Sequence, residues 1–259
     1  MAAARRVLIG LPAYNEEIAL PRLLTRIERV SRTLPEPATV VLYNDGSTDA
    51  TLPVAREWQA RLPLVILDGV VNKGLGAGLR ALVDHAVGNA ADDDVLVVMD
   101  CDDTHDPAQI ADMLRRLAEG SDVVIGSRYV RGALIRGVPL FRRVTALGAA
   151  ALFKLIHPVR GVWDYTCGYR AYRVGVLKQA ARRYGNALVA EKGFACMVEL
   201  LLKLNTLGAR FAEIPLQLRY DQKPTQTKMG VGSNMRRLLS LLVRWRLHGF
   251  GAQQSRVEP

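Results

Sequence analysis

The sequence predicts an α/β protein built on a doubly wound, mostly parallel sheet. Short β-branched apolar runs recur through the first half of the chain, and segments with helical periodicity lie between them. Polar residues collect just after the apolar runs, at the edge where an open parallel sheet carries its ligands.

The runs are Val7-Leu-Ile9, Val40-Val-Leu-Tyr43, Val65-Ile-Leu67, Val95-Leu-Val-Val-Met99 and Val123-Val-Ile125. None alternates strictly, as expected of strands covered on both faces. Leu20, Leu23, Leu24 and Ile27 recur at helical spacing, as do Ile110, Met113, Leu114 and Leu117. Asp106-Pro107 supplies an N-cap followed by proline at the first helical position. Farther on, the Gly- and Arg-rich stretch Arg131 to Pro139 reads as a loop. Ala146 to Ile156 reads as a helix, and so does Phe194 to Leu204, with Phe194, Val198, Leu201 and Leu202 on one face. Phe211 to Tyr220 is expected to be extended. A final helix is expected from Ser233, with Met235, Leu238, Leu239, Leu242 and Trp245 as its apolar stripe.

Composition narrows the class. The chain has 259 residues, 49% apolar and 23% charged, which excludes disordered and fibrous proteins. Cys101, Cys167 and Cys196 are too few and too scattered for a disulfide framework or a four-thiolate zinc site, so a reducing compartment is expected. No signal-peptide pattern follows the N-terminus. The longest weakly polar stretch, Val144 to Phe153, is about half the length a membrane span needs. The net charge of +10 favours polyanionic partners. From Leu201 onward ten basic residues face only Glu213, Asp221 and Glu258.

The chemistry is expected at the carboxyl edge of the sheet. Pro12-Ala-Tyr-Asn-Glu16 follows the first run, Asn44-Asp-Gly-Ser-Thr-Asp49 the second, Asn72-Lys-Gly74 the third and Asp100-Cys-Asp-Asp-Thr-His-Asp106 the fourth. Asn-Asp-Gly-Ser alone is ordinary turn chemistry; four polar loops on one edge point to a nucleotide site. Asp100 and Asp102 are hard oxygen ligands suited to Mg²⁺ or Mn²⁺, which commonly bridges a carboxylate and a substrate's phosphates. Gly74-Leu-Gly-Ala-Gly-Leu79 lacks the third glycine of a dinucleotide loop. There is no P-loop, no zinc-ligand spacing among the four histidines and no nucleophile elbow.

Taken with Gly126-Ser-Arg-Tyr129, these motifs resemble the family 2 glycosyltransferases of the GT-A fold. Asp164-Tyr-Thr-Cys-Gly-Tyr-Arg170, Glu213-Ile-Pro215 and Arg219 to Lys228 resemble the polyprenyl-phosphate branch, that of the dolichol-phosphate mannose synthases. The resemblance implies a catalytic domain over 1–220, with a donor half (1–130) and an acceptor half (131–220). A mobile loop and basic helix would follow over 221–259. It implies that Pro12, Tyr14 and Glu16 border the nucleoside, that Asp45 contacts base or ribose, and that Lys73 lies nearby. Asp100 and Asp102 would hold the metal on the diphosphate, and Asp102, Arg128 and Arg143 would serve the reaction. Asp164, Thr166 and Arg170 would line the acceptor side, and Arg219 and Lys228 would close over the diphosphate. Three positions depart from the branch: Thr104 stands for its usual Gln, Cys167 for Ser, and Thr225-Gln-Thr-Lys228 for Gly-x-Ser-Lys.

The resemblance implies a single displacement with inversion, moving a hexose from a nucleotide-diphosphate sugar to a polyprenyl phosphate. A phosphomonoester acceptor is ionised near neutrality, its second pKa being about 6, and needs no general base. An alcohol acceptor needs one, and Asp103 and Glu191 are the candidates. The same donor chemistry on a soluble hydroxyl compound therefore stays open. So does the role of the last helix: attachment to the cytoplasmic face of a membrane, or ordinary docking on the core. A non-catalytic nucleic-acid-binding protein is the remote alternative, since basic residues are not interleaved with stacking aromatics.

Overall fold

The structure is a computed structural model that describes residues 5–222, 238 and 240–246, with the backbone alone at 140–144. Lys228, the 225–228 motif, the side chain of Arg143 and the expected helix start at Ser233 lie outside the described residues.

Nine strands occur in chain order among the described residues: β1 Val7–Ala13, β2 Ala38–Asp45, β3 Leu64–Gly69, β4 Val95–Val98, β5 Val123–Ser127, β6 Leu134–Arg136, β7 Arg170–Arg173, β8 Phe211–Pro215 and β9 Gln217–Arg219. Seven form one sheet in the order β3-β2-β1-β4-β7-β5-β8, and β6 pairs with β9 in a separate parallel ribbon. β7 runs antiparallel to both β4 and β5. The other pairings in the large sheet are parallel, so β1 to β5 and β8 all end at one edge. The strand order reverses at β1, which pairs with β2 on one side and β4 on the other; such a switch point opens a crevice at the carboxyl edge.

The helices are α1 Leu20–Ser31, α2 Thr51–Trp58, α3 Leu75–Asn89, α4 Ile110–Ala118, α5 Leu140–Ile156, α6 Val174–Tyr184 and α7 Ala195–Thr206. α1 packs on α2 and on the 3₁₀ turn at Pro107–Gln109 that leads into α4, whereas α3, α6 and α7 pack on one another. β1, β4 and β5 are thereby buried nearly throughout, which explains their unbroken apolar runs. Leu20, Leu23, Leu24 and Ile27 are fully buried, the face their spacing predicts. Asp106 accepts a hydrogen bond from the Ala108 N–H at 3.1 Å and caps the turn before α4.

Two expectations need correction. The stretch expected to be a loop at 131–139 contains β6, held against β9. α7 is not one-faced: Ala195 to Leu204 are buried all round, including Glu199 and Lys203. A helix buried on every side must pair its charges, and Lys203 Nζ lies 2.6 Å from Glu199 Oε1. A third feature agrees with the sequence, which offers no dinucleotide loop at Gly74 to Leu79: Gly76 and Gly78 serve close packing. A Cβ on Gly78 would meet Pro12 Cβ at 3.0 Å, and one on Gly76 would overlap the Glu191 carbonyl oxygen.

Gly76 therefore marks where α3 touches the segment before α7. Gly76→Ala is expected to destabilise the protein by about 1–3 kcal/mol through overpacking. Gly88→Ala, in the same helix with open space around it, is expected to be neutral or stabilising by up to about 1 kcal/mol. Thermal unfolding of the two variants checks the contrast.

Candidate active site

Two loops at the switch point are stitched together by their own polar side chains. Asn15, in a left-handed conformation at φ 54°, accepts from the Thr48 N–H at 2.8 Å, and its own N–H donates to Ser47 Oγ at 3.0 Å. The Glu16 N–H donates to Thr51 Oγ1 at 2.7 Å, and Glu17 accepts from the Ala50 N–H at 2.8 Å. Much of the motif chemistry thus fixes the backbone on which half-buried Pro12 and Tyr14 sit. Asp45 is buried at the end of β2, and its two carboxylate oxygens accept the N–H groups of Lys73 and Gly74, each at 2.8 Å. Asp45 therefore shapes the entry to α3, and the Lys73 side chain stays exposed beside it.

The acidic loop after β4 is held from three directions. The Asp100 N–H donates to His105 Nδ1 at 3.2 Å; this leaves the ring proton on Nε2, 3.9 Å from Asp100 Oδ2. His105 is buried and stacks on Tyr169 with centroids 5.0 Å apart. Asp102 Oδ1 accepts from the Thr104 hydroxyl at 2.7 Å and the Thr104 N–H at 3.2 Å. Asp103 takes the left-handed conformation, φ 61°, and is clamped by Arg26 of α1, which donates to its Oδ1 at 2.7 Å and reaches Asp106 at 2.9 Å. From the other side, the Arg219 N–H donates to the Thr104 carbonyl at 2.9 Å.

The donor set fits a divalent cation. Asp100 and Asp102 are hard carboxylates, and a Cβ on Gly168 would crowd Asp100 Oδ1 at 3.2 Å, which glycine avoids. Among the described residues no cluster of three acidic, His or Cys ligands surrounds a point. A cation here would take the rest of its shell from diphosphate oxygens and water, which suits Mg²⁺ or Mn²⁺. Thr104, where the resembled branch has Gln, orients Asp102.

Beyond β5 the arrangement is different. Arg128 forks onto Asp164, Nε to Oδ2 at 2.7 Å and Nη2 to Oδ1 at 2.6 Å, and Nη2 also donates to Thr166 Oγ1 at 2.6 Å. Burial opposes both charges, yet the pairing holds the Asp164 carboxyl below the usual range and raises the Arg128 guanidinium above its own. Arg170 is fully buried and donates to the carbonyls of Cys167, Met197 and Tyr165 at 2.6–2.8 Å, so it buttresses the Asp164 turn from beneath. Burial pushes the Cys167 thiol up to about 12, which leaves it a neutral packing group. A cleft of about 620 Å³ lies beside the acidic loop, its walls including Arg22, Arg26, Asp103, Arg136, Gln217 and Arg219. Arg219 there pairs with Asp221 at 3.0 Å.

Sequence reasoning gave no role to Arg26, Glu199 or Glu213. Arg26 is one of many helix-face arginines, and nothing local marks it. Glu213 stood in a quoted motif without a task; its Oε1 accepts the N–H groups of Trp163 at 2.7 Å and Asp164 at 2.6 Å. The two carboxylates considered as bases are both engaged: Asp103 with Arg26, and Glu191 with Arg244 of the 240–246 helical segment.

The profile of Glycosyl transferase family 2 matches residues 8–180. The chain is 30% identical over 251 residues to the polyprenol monophosphomannose synthase of Mycolicibacterium smegmatis, covering 95% of this chain and 88% of that protein. It is 32% identical over 232 residues to the undecaprenyl-phosphate mannosyltransferase of Micrococcus luteus, covering 88% of each. Among solved structures, glucosyl-3-phosphoglycerate synthase from Mycobacterium tuberculosis, in complex with Mn²⁺, uridine diphosphate and glucosyl-3-phosphoglycerate, superimposes with a TM-score of 0.64. The identity is 19%, over 95% of this chain and 80% of that one, and the likeness shows a shared GT-A fold.

Burial raises the Glu213 carboxyl above its ordinary value. Between the unfolded and the raised folded value the native state binds the extra proton, so Glu213's contribution to stability grows as pH falls through that window. The stability of the wild type relative to Glu213→Gln is therefore expected to rise on going from neutral pH toward about pH 4.5. Thermal melts of both proteins across that range test the sign.

Proposed function

The chain belongs to glycosyl transferase family 2 and is a glycosyltransferase, and from that premise we propose that it moves a hexosyl group, mannosyl by the names of its relatives, from a nucleotide-diphosphate sugar to a polyprenyl phosphate. The observation that carries the choice of acceptor is the engagement of both candidate bases. An alcohol acceptor needs a carboxylate to take its proton, and Asp103 and Glu191 are each tied to an arginine. A phosphate acceptor arrives already ionised. The names of the two relatives agree with that reading.

In this reading Asp100 and Asp102 would hold Mg²⁺ or Mn²⁺ beside the donor diphosphate. The cation, when bound, offsets the charge that builds on the leaving diphosphate. The walls around Asp45, Pro12, Tyr14, Glu16 and Lys73 seat the nucleoside. Arg128 offers fixed donors to the reacting phosphates; the resemblance assigns Arg143 to the same phosphates, and Arg219 and Lys228 to the donor diphosphate. An acceptor phosphate oxygen attacks the anomeric carbon as the bond to the diphosphate oxygen breaks on the opposite side, and configuration inverts. Residues 1–220 form the catalytic unit, and 221–259 supply the closing loop and a basic helix.

The surface of α5 supports a lipid-borne acceptor. Leu147, Ala151 and Leu155 are exposed at successive i, i+4 positions, Leu155 to 80%. Trp163 is 57% exposed, with Lys154 Nζ 5.0 Å from its ring centroid. An apolar stripe with tryptophan and flanking cations suits peripheral binding to an anionic membrane at its cytoplasmic face. No helix among the described residues is long and apolar enough to cross a membrane.

Incubation with GDP-, UDP- and dTDP-sugars, Mn²⁺ and a short-chain prenyl phosphate is expected to yield a prenyl-phosphate sugar. Asp102→Asn is expected to lower turnover by at least about 10²-fold and to abolish the Mn²⁺-dependent thermal stabilisation by the donor. Transfer to soluble hydroxyl compounds but not to prenyl phosphate overturns the reading. Flotation with anionic vesicles is expected for the wild type and lost in Leu147→Asp/Leu155→Asp/Trp163→Asp. Retention of the triple variant on vesicles removes α5 as the docking face.

A further inference from the structure

We propose that Asp164, Thr166 and Glu213 are positioning residues for Arg128, and that none of them meets the acceptor. The proposal rests on the reading above only in taking Arg128 to face the reacting phosphates.

Asp164 has no surface to offer a ligand. It is fully buried, and both carboxylate oxygens are taken. Oδ2 accepts from Arg128 Nε at 2.7 Å and from the Arg128 N–H at 3.0 Å. Oδ1 accepts from Arg128 Nη2 at 2.6 Å, the Cys167 N–H at 3.0 Å and the Thr166 N–H at 3.3 Å. The same carboxylate therefore holds the backbone and the side chain of Arg128 and the turn that follows Asp164 itself. Thr166 Oγ1 takes the second hydrogen of Nη2.

Glu213 anchors the turn to the sheet. It lies on β8, directly beside Ile125 of β5, and its Oε1 accepts the N–H groups of Trp163 and Asp164. Arg128 directly follows β5. Both ends of the Arg128–Asp164 pair are thus fixed to one pair of strands, and the guanidinium cannot turn without breaking the fork. Among the described residues only Nη1 has no protein hydrogen bond, and the side chain keeps 23% of its surface exposed. Nη1 is the group left to meet a phosphate.

The consequence is chemical. Because its charge is balanced by Asp164 at contact distance, Arg128 acts as an oriented pair of donors and not as a bare attracting charge. Oriented donors favour the transition state over the ground state, where charge is smaller. Loss of orientation is therefore expected in kcat more than in the donor KM.

A double-mutant cycle on the full chain tests this, read both as transfer to prenyl phosphate and as donor hydrolysis without acceptor. Arg128→Ala and Asp164→Asn are each expected to lower kcat on the order of 10²-fold, with the donor KM changed less than about threefold. The double variant is expected to be no slower than Arg128→Ala alone. Arg128→Lys, which keeps the charge but cannot fork, is expected to behave like Arg128→Ala. Thr166→Val, the milder variant should Asp164→Asn fold poorly, is expected to lower kcat severalfold in the wild type and not at all in Arg128→Ala. Additive effects, or a rise confined to the acceptor KM in Asp164→Asn or Thr166→Val, overturn the proposal. Full activity of Arg128→Ala in both assays overturns instead the placement of Arg128 at the reaction. Hydrolysis without any transfer to prenyl phosphate overturns the acceptor reading and leaves the cycle readable.

Discussion

The architecture depends on one requirement: a carboxylate taken out of water must be given hydrogen bonds or a counter-charge. Five buried or half-buried carboxylates meet it by capturing backbone N–H groups, and each capture fixes a segment that sheet geometry alone would leave loose. Asp94 takes the N–H groups of Arg6 and Ala91 at the amino edge of the sheet. Asp45 takes those of Lys73 and Gly74, Asp164 those of Arg128, Thr166 and Cys167, Glu199 those of Ala190 and Glu191, and Glu213 those of Trp163 and Asp164. Four of the five act on the loops and turns that surround the proposed site.

That economy explains why the fold was more legible than the site. β1 to β5 announce themselves because strands covered on both faces must be apolar and β-branched, and α1 and α4 because one face meets the sheet and the other meets water. β7 escaped notice since arginines open and close it, and it tolerates Arg170 because three backbone carbonyls receive the guanidinium, those of Tyr165 and Cys167 in the preceding turn and that of Met197 in α7. α3 was obscured by its glycines, which serve contacts with Pro12 and Glu191 that no local window contains. At the candidate site, Asp100 and Asp102 were legible as two acids on the loop that follows β4, because their place at a strand end can be read from the apolar run before them. Asp45, Asp164 and Thr166 were legible as polar motif residues, yet their partners lie 28 to 38 positions away, so motif spacing gave no account of what they hold.

The acidic loop shows how two halves of the chain converge on one geometry. Arg26, from the first helix, clamps Asp103; the backbone of Arg219, near the end of the catalytic unit, takes the carbonyl of Thr104. Between them Asp103 sits in the left-handed region, a conformation that costs a non-glycine residue on the order of 1–3 kcal/mol. Such a turn persists only when its surroundings over-determine it. Here they do: the turn lets Asp102 receive both hydrogen bonds from Thr104 while the neighbouring Asp103 is directed to α1. The strand that leads into 221–259 is thereby bonded to the loop that carries Asp102.

A transferase that works on two phosphorylated substrates faces a particular electrostatic problem, since the donor diphosphate and a phosphate acceptor repel each other. Scattered positive charge would attract both but would not arrange them. In the proposed reading the two tasks fall to different groups. Exposed cations such as Lys73 and Arg136 would supply attraction without direction, which salt screens beyond about 10 Å. Arg128, by contrast, is neutralised by Asp164 and locked in direction, so what it presents is geometry. Between like-charged reactants a fixed donor stabilises one arrangement of oxygens over all others, whereas a free cation stabilises every close approach alike. A carboxylate on the acceptor side would undo this by adding a third negative charge where the phosphates already crowd. The burial of Asp164 beneath Arg128, and the capture of Asp103 and Glu191 by arginines, leave each of these carboxylates paired with a positive charge.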